Sequence, residues 1–326
     1  MAANRCVTWS PSVTLVPTRG CFNACDYCSF RRSLEPDEAA SGVQRDGLDM
    51  AAASRTLADN PVAREVLLLS GELPQGSAGR GPWMARLVEL SRLALAAGRL
   101  PHTNAGPLAL HEMAALGRLN PSMGLMLEGV GPAVEAHHRH APSKTLATRL
   151  EQLQQAGRLG IPFTTGLLLG LGETPADRQE ALELIALLHA TWGHIQEVIL
   201  QPFRPAGAEA LPLTSGEQLE MLATIALARS ILPPEVHLQL PPNLWPLETL
   251  PQALDAGIDD LGGIDSVDVI NPAYPQPRPA GLRQHLERAG WTLQPRLCVH
   301  QGWIPSLPGP LREKVQAIAH KVRSGC

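Results

Sequence analysis

Residues 12–30 read Ser-Val-Thr-Leu-Val-Pro-Thr-Arg-Gly-Cys-Phe-Asn-Ala-Cys-Asp-Tyr-Cys-Ser-Phe. A short apolar run breaks at Pro17. Three cysteines follow, Cys21, Cys25 and Cys28, in a C-x3-C-x2-C pattern. Thiolates this close on one loop can converge on a soft metal centre. A cubane iron–sulfur cluster takes cysteine ligands. Three of them leave one iron open for a substrate or cofactor, as an open position makes a zinc site catalytic. Two plainer readings stand beside this one. A zinc ion could be completed by Cys6, Cys298 or a histidine, or a redox C-x2-C pair could carry an incidental third cysteine. The spaced triplet favours the cluster over both. Cys6, Cys298 and Cys326 then read as incidental thiols.

Working outward, the apolar run at 13–16 is the first of seven strand-like segments. The others are 66–69, 99–103, 124–127, 163–169, 197–201 and 236–240, each bounded by Gly, Pro or polar residues. Helical spacing fills stretches between them, at 83–97, 144–157, 175–190 and 216–231. Leu146, Leu150, Leu153 and Ala156, for example, step three to four residues apart and give one buried face. Alternation with short connections predicts a parallel sheet with right-handed crossovers. Seven or more units favour one TIM-like α/β barrel, partial or full, over two Rossmann halves. Residues 1–265 form its expected core. Beyond them the pattern loosens into VINPAYPQPRP, and 266–326 is expected to be a C-terminal extension packed on the barrel as part of one unit. Polar signals cluster where strands end: the cysteines after the first, Glu72 after the second, Asn104 after the third, Glu128 after the fourth. Loops that follow parallel strands share one face, so these residues should gather at one mouth.

Composition narrows the class. The 326 residues are 44% hydrophobic and 18% charged, with a net charge of −4. A nucleic-acid binder would need a basic surface, so none is expected as a partner. No run approaches the roughly 18 apolar residues of a membrane span. The start, MAANRCVTWSPS, lacks the build of a secretion signal. A cytosolic enzyme acting on a small molecule is the expectation.

The segment CFNACDYC resembles the signature of radical S-adenosylmethionine (SAM) enzymes, with Tyr27 just before the third cysteine. The resemblance implies a [4Fe–4S] cluster on Cys21, Cys25 and Cys28, with SAM chelated at the open iron and cleaved by one-electron reduction. Other segments resemble that family's cofactor motifs. Gly71 and Glu72, in VLLLSGE, match a motif that meets the methionyl ammonium. Glu128, in GLMLE, matches a residue that holds ribose hydroxyls, and a carboxylate can accept both hydrogen bonds. Arg149 matches an arginine that grips the SAM carboxylate bidentately. Gly170, in GLLLGLGE, matches a motif near the adenine, and Asn104 is placed with these cofactor-binding residues. Each also has a plain structural reading as a helix cap, a solvated face or a tight strand exit. Their agreement in order is what favours the functional one.

Longer phrases extend the resemblance along nearly the whole chain. TLVPTRGCFNACDYCSFRR, LPHTNAGPL, AGRLGIPFTTGLLLGLGET and GHIQEVILQPFRP are similar to 7,8-didemethyl-8-hydroxy-5-deazariboflavin synthase, in the family of its ring-closing subunit 1. Departures are Arg19-Gly20 before the first cysteine and Asp259-Asp260-Leu261 where Asn-Asp-Trp is usual. The resemblance implies a lyase that cyclises a ribitylated 4-hydroxybenzyl pyrimidine adduct with loss of ammonia. It implies three partners: subunit 2 of the same synthase, the small-molecule adduct, and a low-potential electron donor such as ferredoxin or flavodoxin. The alternative is a related radical SAM enzyme with another substrate, such as the tyrosine-cleaving partner subunit or an aminofutalosine-pathway enzyme. Around the substrate we expect His102, Thr103, Asn104, Gln201, Arg204, Asn243 and Asp260, with His102, His194 or Asp260 as the acid–base group.

Overall fold

The computed structural model describes residues 5–41, 48–205 and 210–324, with side chains as far as 320. Eight parallel strands form the barrel: β1 (Cys6–Leu15), β2 (Glu65–Leu69), β3 (Leu100–Asn104), β4 (Ser122–Gly124), β5 (Phe163–Leu169), β6 (Ile195–Pro202), β7 (His237–Gln239) and β8 (Asp260–Ile264). Each pairs with the next, and β8 pairs with β1 through Thr8, Ser10 and Pro11, which closes the sheet. Helices alternate with the strands: α1 (Met50–Asp59), α2 (Arg80–Ala96), α3 (Leu110–Gly117), α4 (Leu146–Arg158), α5 (Pro175–Trp192), α6 (Ser215–Ile231), α7 (Leu250–Ala256) and α8 (Pro279–Arg288). Strand β5, Phe-Thr-Thr-Gly-Leu-Leu-Leu, is buried along its whole length, as a strand covered by helices on one side and core on the other must be. The helix starts are written in the sequence. Thr174 caps α5 in a box with Asp177, and Pro175 occupies the first turn, where its missing N–H costs nothing.

The chain after 265 is woven into the barrel. A ninth strand, β9 (Thr292–Pro295), pairs with the first half of β1, whose second half pairs with β2. Residues 296–300 then cross the barrel's N-terminal end. The Cys298 carbonyl accepts from Ser122 Oγ at 2.9 Å and from Gln196 Nε2 at 3.0 Å, and His300 N donates to Gln196 Oε1 at 3.0 Å. A last helix, α9 (Gly309–Ser324), packs Leu311 and Val315 into a small core with Trp303 and Leu100. The segment therefore serves as the barrel's floor.

One barrel strand is absent from the pattern of short apolar runs, and another is only partly marked by it. Asp-Leu-Gly-Gly-Ile at β8 has two glycines, and Gly262 sits at φ 72°, so its pairing comes from its neighbours rather than its own apolar character. Strand β1 begins at Cys6, seven residues before the apolar run, because its first half pairs with β8 and β9. Among the described residues no helix is long and apolar enough to cross a membrane.

Candidate active site

At the C-terminal ends of the strands lies a cavity of about 180 Å³. Cys21, Cys25, Cys28, Tyr27, Gly71, Glu72, Asn104, Glu128 and Arg149 all face it, so nine residues singled out in the sequence meet at one mouth. The cysteine loop is clamped from two sides. Ala24 N donates to the His140 carbonyl at 2.7 Å, and Asp26 N donates to that of His137 at 3.3 Å. Asn23, between the first two cysteines, donates to Glu72 Oε2 at 2.9 Å and to Ser143 Oγ at 2.8 Å. Ser143, Lys144 and His138 carry no motif of their own, and only the folded chain brings them to the cysteine loop.

Charges alternate across this chamber. Glu72 accepts from Ser143, and Arg149 approaches its Oε1 at 3.4 Å. Lys144 pairs with Glu128. Burial works against the Glu128 carboxylate, yet Lys144 and Arg149 outweigh it and hold the group below its ordinary range. Glu128 is the one non-glycine among the described residues with positive φ, 73°. Its carboxylate faces the chamber from a backbone conformation that costs of order 1–3 kcal/mol. Arg149 is 1% exposed and its Nε has no partner. A buried guanidinium left short of acceptors suits an incoming carboxylate. Tyr27 Oη lies 2.8 Å from His138 Nε2, and burial, then Glu128, drive the phenol's pKa up.

The donor set fits a polynuclear cluster better than a zinc ion. Ligands of one zinc, at about 2.3 Å each, would crowd together. Among the described residues the one group of three such donors within 4.8 Å of each other is Glu197, Asp260 and His300, not the cysteines. Cys6 begins β1 and Cys298 lies in the floor, both at the opposite end of the barrel, so neither completes a zinc site. Burial pushes the Cys25 thiol up to about 11, so it ionises only against a cationic centre. For SAM, the paired carboxylates and the Arg149 guanidinium supply partners for a zwitterionic ammonium and carboxylate.

Gly71 holds the loop close. A Cβ there would sit 2.2 Å from the Gly20 carbonyl oxygen, which is backbone and cannot swing aside. Gly71→Ala is therefore expected to displace the residues before Cys21 and lower stability by about 1–3 kcal/mol. Thermal melting and iron content after reconstitution check this. Unchanged values for both would show that the loop does not depend on that approach.

Below the first chamber the barrel interior holds a second, of about 200 Å³. The two share Leu69, Asn104, Leu125, Met126 and Gln201 as a common wall. His102 faces the lower one, as strand alternation with Asn104 requires. Ser122 Oγ donates to the Cys298 carbonyl, so it accepts from His102 Nδ1–H at 2.7 Å, and Nε2 carries the lone pair. Burial, then Arg296, lower the His102 pKa to about 3, so the ring is neutral at pH 7.

Several expected site residues fall elsewhere. His194 precedes β6, at the end of the strand away from the cysteines, 2% exposed and packed against the Phe163 ring. Thr103 points out of the barrel to Asn120 Oδ1, at 2.8 Å, because neighbours on a strand face opposite sides. Asp260 opens β8 beneath the chamber, fully buried, where Arg296 and Thr8 engage it. Asn243 holds Asp268 Oδ2 at 2.8 Å and the Tyr274 carbonyl at 2.9 Å. Gly170 turns the chain at φ 102° with its N–H on Glu173, outside the chamber wall. Gln201 and Arg204 do face the upper chamber. Glu65, Glu197, Gln239 and Arg296 line the lower one and had no sequence signal.

Comparison with known proteins accords with this site. The radical SAM superfamily model matches residues 15–185. A 7,8-didemethyl-8-hydroxy-5-deazariboflavin synthase of Thermosynechococcus vestitus is 48% identical over 319 residues, 97% of this chain and 99% of that one. Another of that name, from Gloeobacter violaceus, is 49% identical over 300 residues, 91% of this chain and 90% of that one. Among solved structures, the FeFe-hydrogenase maturase HydG of Carboxydothermus hydrogenoformans aligns with TM-score 0.68 and 17% identity, covering 98% of this chain and 79% of that one. Methylornithine synthase (PylB) aligns with TM-score 0.64 and 14% identity, covering 96% and 86%. At these identities the two structures speak for the fold alone. The chain belongs to the radical SAM superfamily, in the family of the 7,8-didemethyl-8-hydroxy-5-deazariboflavin synthases.

Proposed function

We propose that this chain closes the deazaflavin ring: it takes the ribitylated 4-hydroxybenzyl pyrimidine adduct together with SAM and releases 7,8-didemethyl-8-hydroxy-5-deazariboflavin, ammonia, methionine and 5′-deoxyadenosine, SAM taking up the two electrons that ring closure gives up. The observation that carries this reading is the continuity of the two chambers. In a chain of this family, the cysteine chamber shares Asn104 and Gln201 with a second chamber whose largely apolar lining carries Glu65, His102, Glu197 and Arg296. Cys21, Cys25 and Cys28 would hold the [4Fe–4S] cluster, and Glu72, Glu128 and Arg149 would hold SAM. When bound, this pair supplies hydrogen-atom abstraction.

The protein's own part is placement and exclusion of water. Leu69, Leu125 and Met126 give the junction apolar walls that offer water no hydrogen-bond partner. Asn104 and Gln201 orient the adduct by hydrogen bonds at the junction. Of the three expected acid–base groups, only His102 reaches the lower chamber. With a pKa of about 3 its Nε2 accepts a hydrogen bond from an N–H or O–H of the adduct rather than carrying a proton. A second radical SAM subunit that supplies the adduct, and a low-potential donor such as ferredoxin or flavodoxin, complete the scheme.

The test is anaerobic. Reconstituted protein with SAM and reductant, supplied with the partner subunit, tyrosine and the ribityl pyrimidine, is expected to generate deazaflavin fluorescence. SAM cleavage with a non-fluorescent product would reject the ring-closing assignment.

A further inference from the structure

The floor of the lower chamber offers hydrogen-bonding groups that the proposed chemistry does not use. Glu65, at the start of β2, and Glu197, near the start of β6, face the chamber from its end away from the cysteines. Both are buried, at 6% and 3% exposure. Among the described residues one cation reaches this floor, Arg296, carried in by the C-terminal segment. It donates twice to Asp260 and once to Glu197 Oε1, at 2.8 Å. Asp260 thus takes most of its charge. Thr164 Oγ1 donates to Glu197 Oε2 at 3.0 Å, and Glu65 forms no ion pair with a described residue. Two carboxyl groups therefore face one chamber with less than one positive charge between them.

We infer that this floor is the subsite for a polyol: Glu65 and Glu197 hold the hydroxyls of the adduct's ribityl chain, and the reacting rings lie at the junction above. The inference rests on the proposed function, which supplies the adduct, and goes beyond it by fixing the adduct's direction. The abstracted hydrogen must lie beside the cysteine chamber, so the part that takes no part in the chemistry occupies the far end. Of the two ends, a phenol presents a single O–H on a flat apolar ring, whereas a ribityl chain presents several hydroxyls, each both donor and acceptor. Burial raises the pKa of both Glu65 and Glu197. An ionised carboxylate accepts and a protonated one can also donate, and hydroxyls satisfy it either way. His102 Nε2, an acceptor on the same chamber, adds a third contact of the same kind.

Binding of the fluorescent product tests this without turnover. Reconstituted protein with SAM is titrated with 8-hydroxy-5-deazaflavin bearing either a ribityl chain or a methyl group at N10. The wild-type chain is expected to bind the ribityl compound at least about tenfold more tightly. Glu65→Leu should lose about tenfold on the ribityl compound and less than about twofold on the methyl compound, with Glu65→Gln retaining most of the affinity. Equal wild-type binding of both compounds, or equal loss of both in Glu65→Leu, overturns the subsite. If Glu65→Leu does not fold, the wild-type comparison of the two compounds decides by the same criterion. Binding of neither compound overturns the subsite, and a parallel lack of deazaflavin in the full assay overturns the function as well.

Discussion

Cys25→Ala protein is expected to bind less than about a tenth of the wild-type iron after reconstitution and to cleave no SAM, while Cys298→Ala matches wild type in both. The contrast follows from position. Cys25 is 6% exposed on a loop whose neighbours are pinned to the carbonyls of His137 and His140. Its thiol stands at about 11 through burial. Such a group is inert as a redox nucleophile and gains its thiolate only by binding a cationic centre. With the loop pinned, Cys21 and Cys28 cannot close around the missing ligand, and two thiolates hold a cubane poorly. Cys298 is as buried but lies in the floor, its sulfur 3.9 Å from the Leu100 carbonyl and the barrel's interior between it and the cluster loop. Alanine there removes one sulfur from a small apolar core. Iron at about four per chain in Cys25→Ala protein would refute the cluster assignment.

What the sequence made legible divides by distance along the chain. The cysteine chamber is assembled largely from local signals at strand ends, so Cys21 to Cys28, Glu72, Asn104 and Glu128 could be placed together from order alone, while Arg149, on α4, was found only through the family resemblance. The barrel followed from the alternation of apolar runs with helical spacing. The lower chamber is a different matter. Its side chains point inward from strand middles and starts, where a polar residue interrupts the apolar pattern and marks nothing by itself. Glu65 and Glu197 are of this kind. Arg296 comes from a segment 99 residues beyond Glu197, and no periodicity announces that this stretch turns into a barrel. His194 shows the converse error. Its place at a strand boundary is plain in the sequence, but which end of the strand that boundary occupies depends on where β6 begins.

The floor network gives the second large effect. Arg296→Leu is expected to destabilise the protein by about 3–5 kcal/mol at pH 7, because removing one partner of a buried ion pair strands the other's charge. Asp260 is fully buried. Burial opposes its ionisation, and the Arg296 guanidinium outweighs that and holds the carboxyl well below its usual range. A carboxyl depressed in this way contributes stability above its unfolded pKa of about 3.9 and loses it as pH falls through the folded value. In Arg296→Leu the sign reverses. Burial without the cation raises the Asp260 pKa above the unfolded value, so the folded state binds the proton more tightly and stability declines as pH rises. Glu197, already raised by burial, shifts further the same way. The deficit against wild type should therefore be largest near pH 7 and shrink toward pH 5. Asp260→Asn keeps an oxygen for the Gly262 N–H, now bonded at 2.6 Å, and adds no charge. Combined with Arg296→Leu it should recover at least about half of the pH 7 loss. Urea unfolding of the two variants and wild type at pH 5 and pH 7 measures all three terms. A deficit that stays constant or grows on acidification, or a double variant no better than the single, would mean that Arg296 acts through packing and not through the charge it brings to the floor.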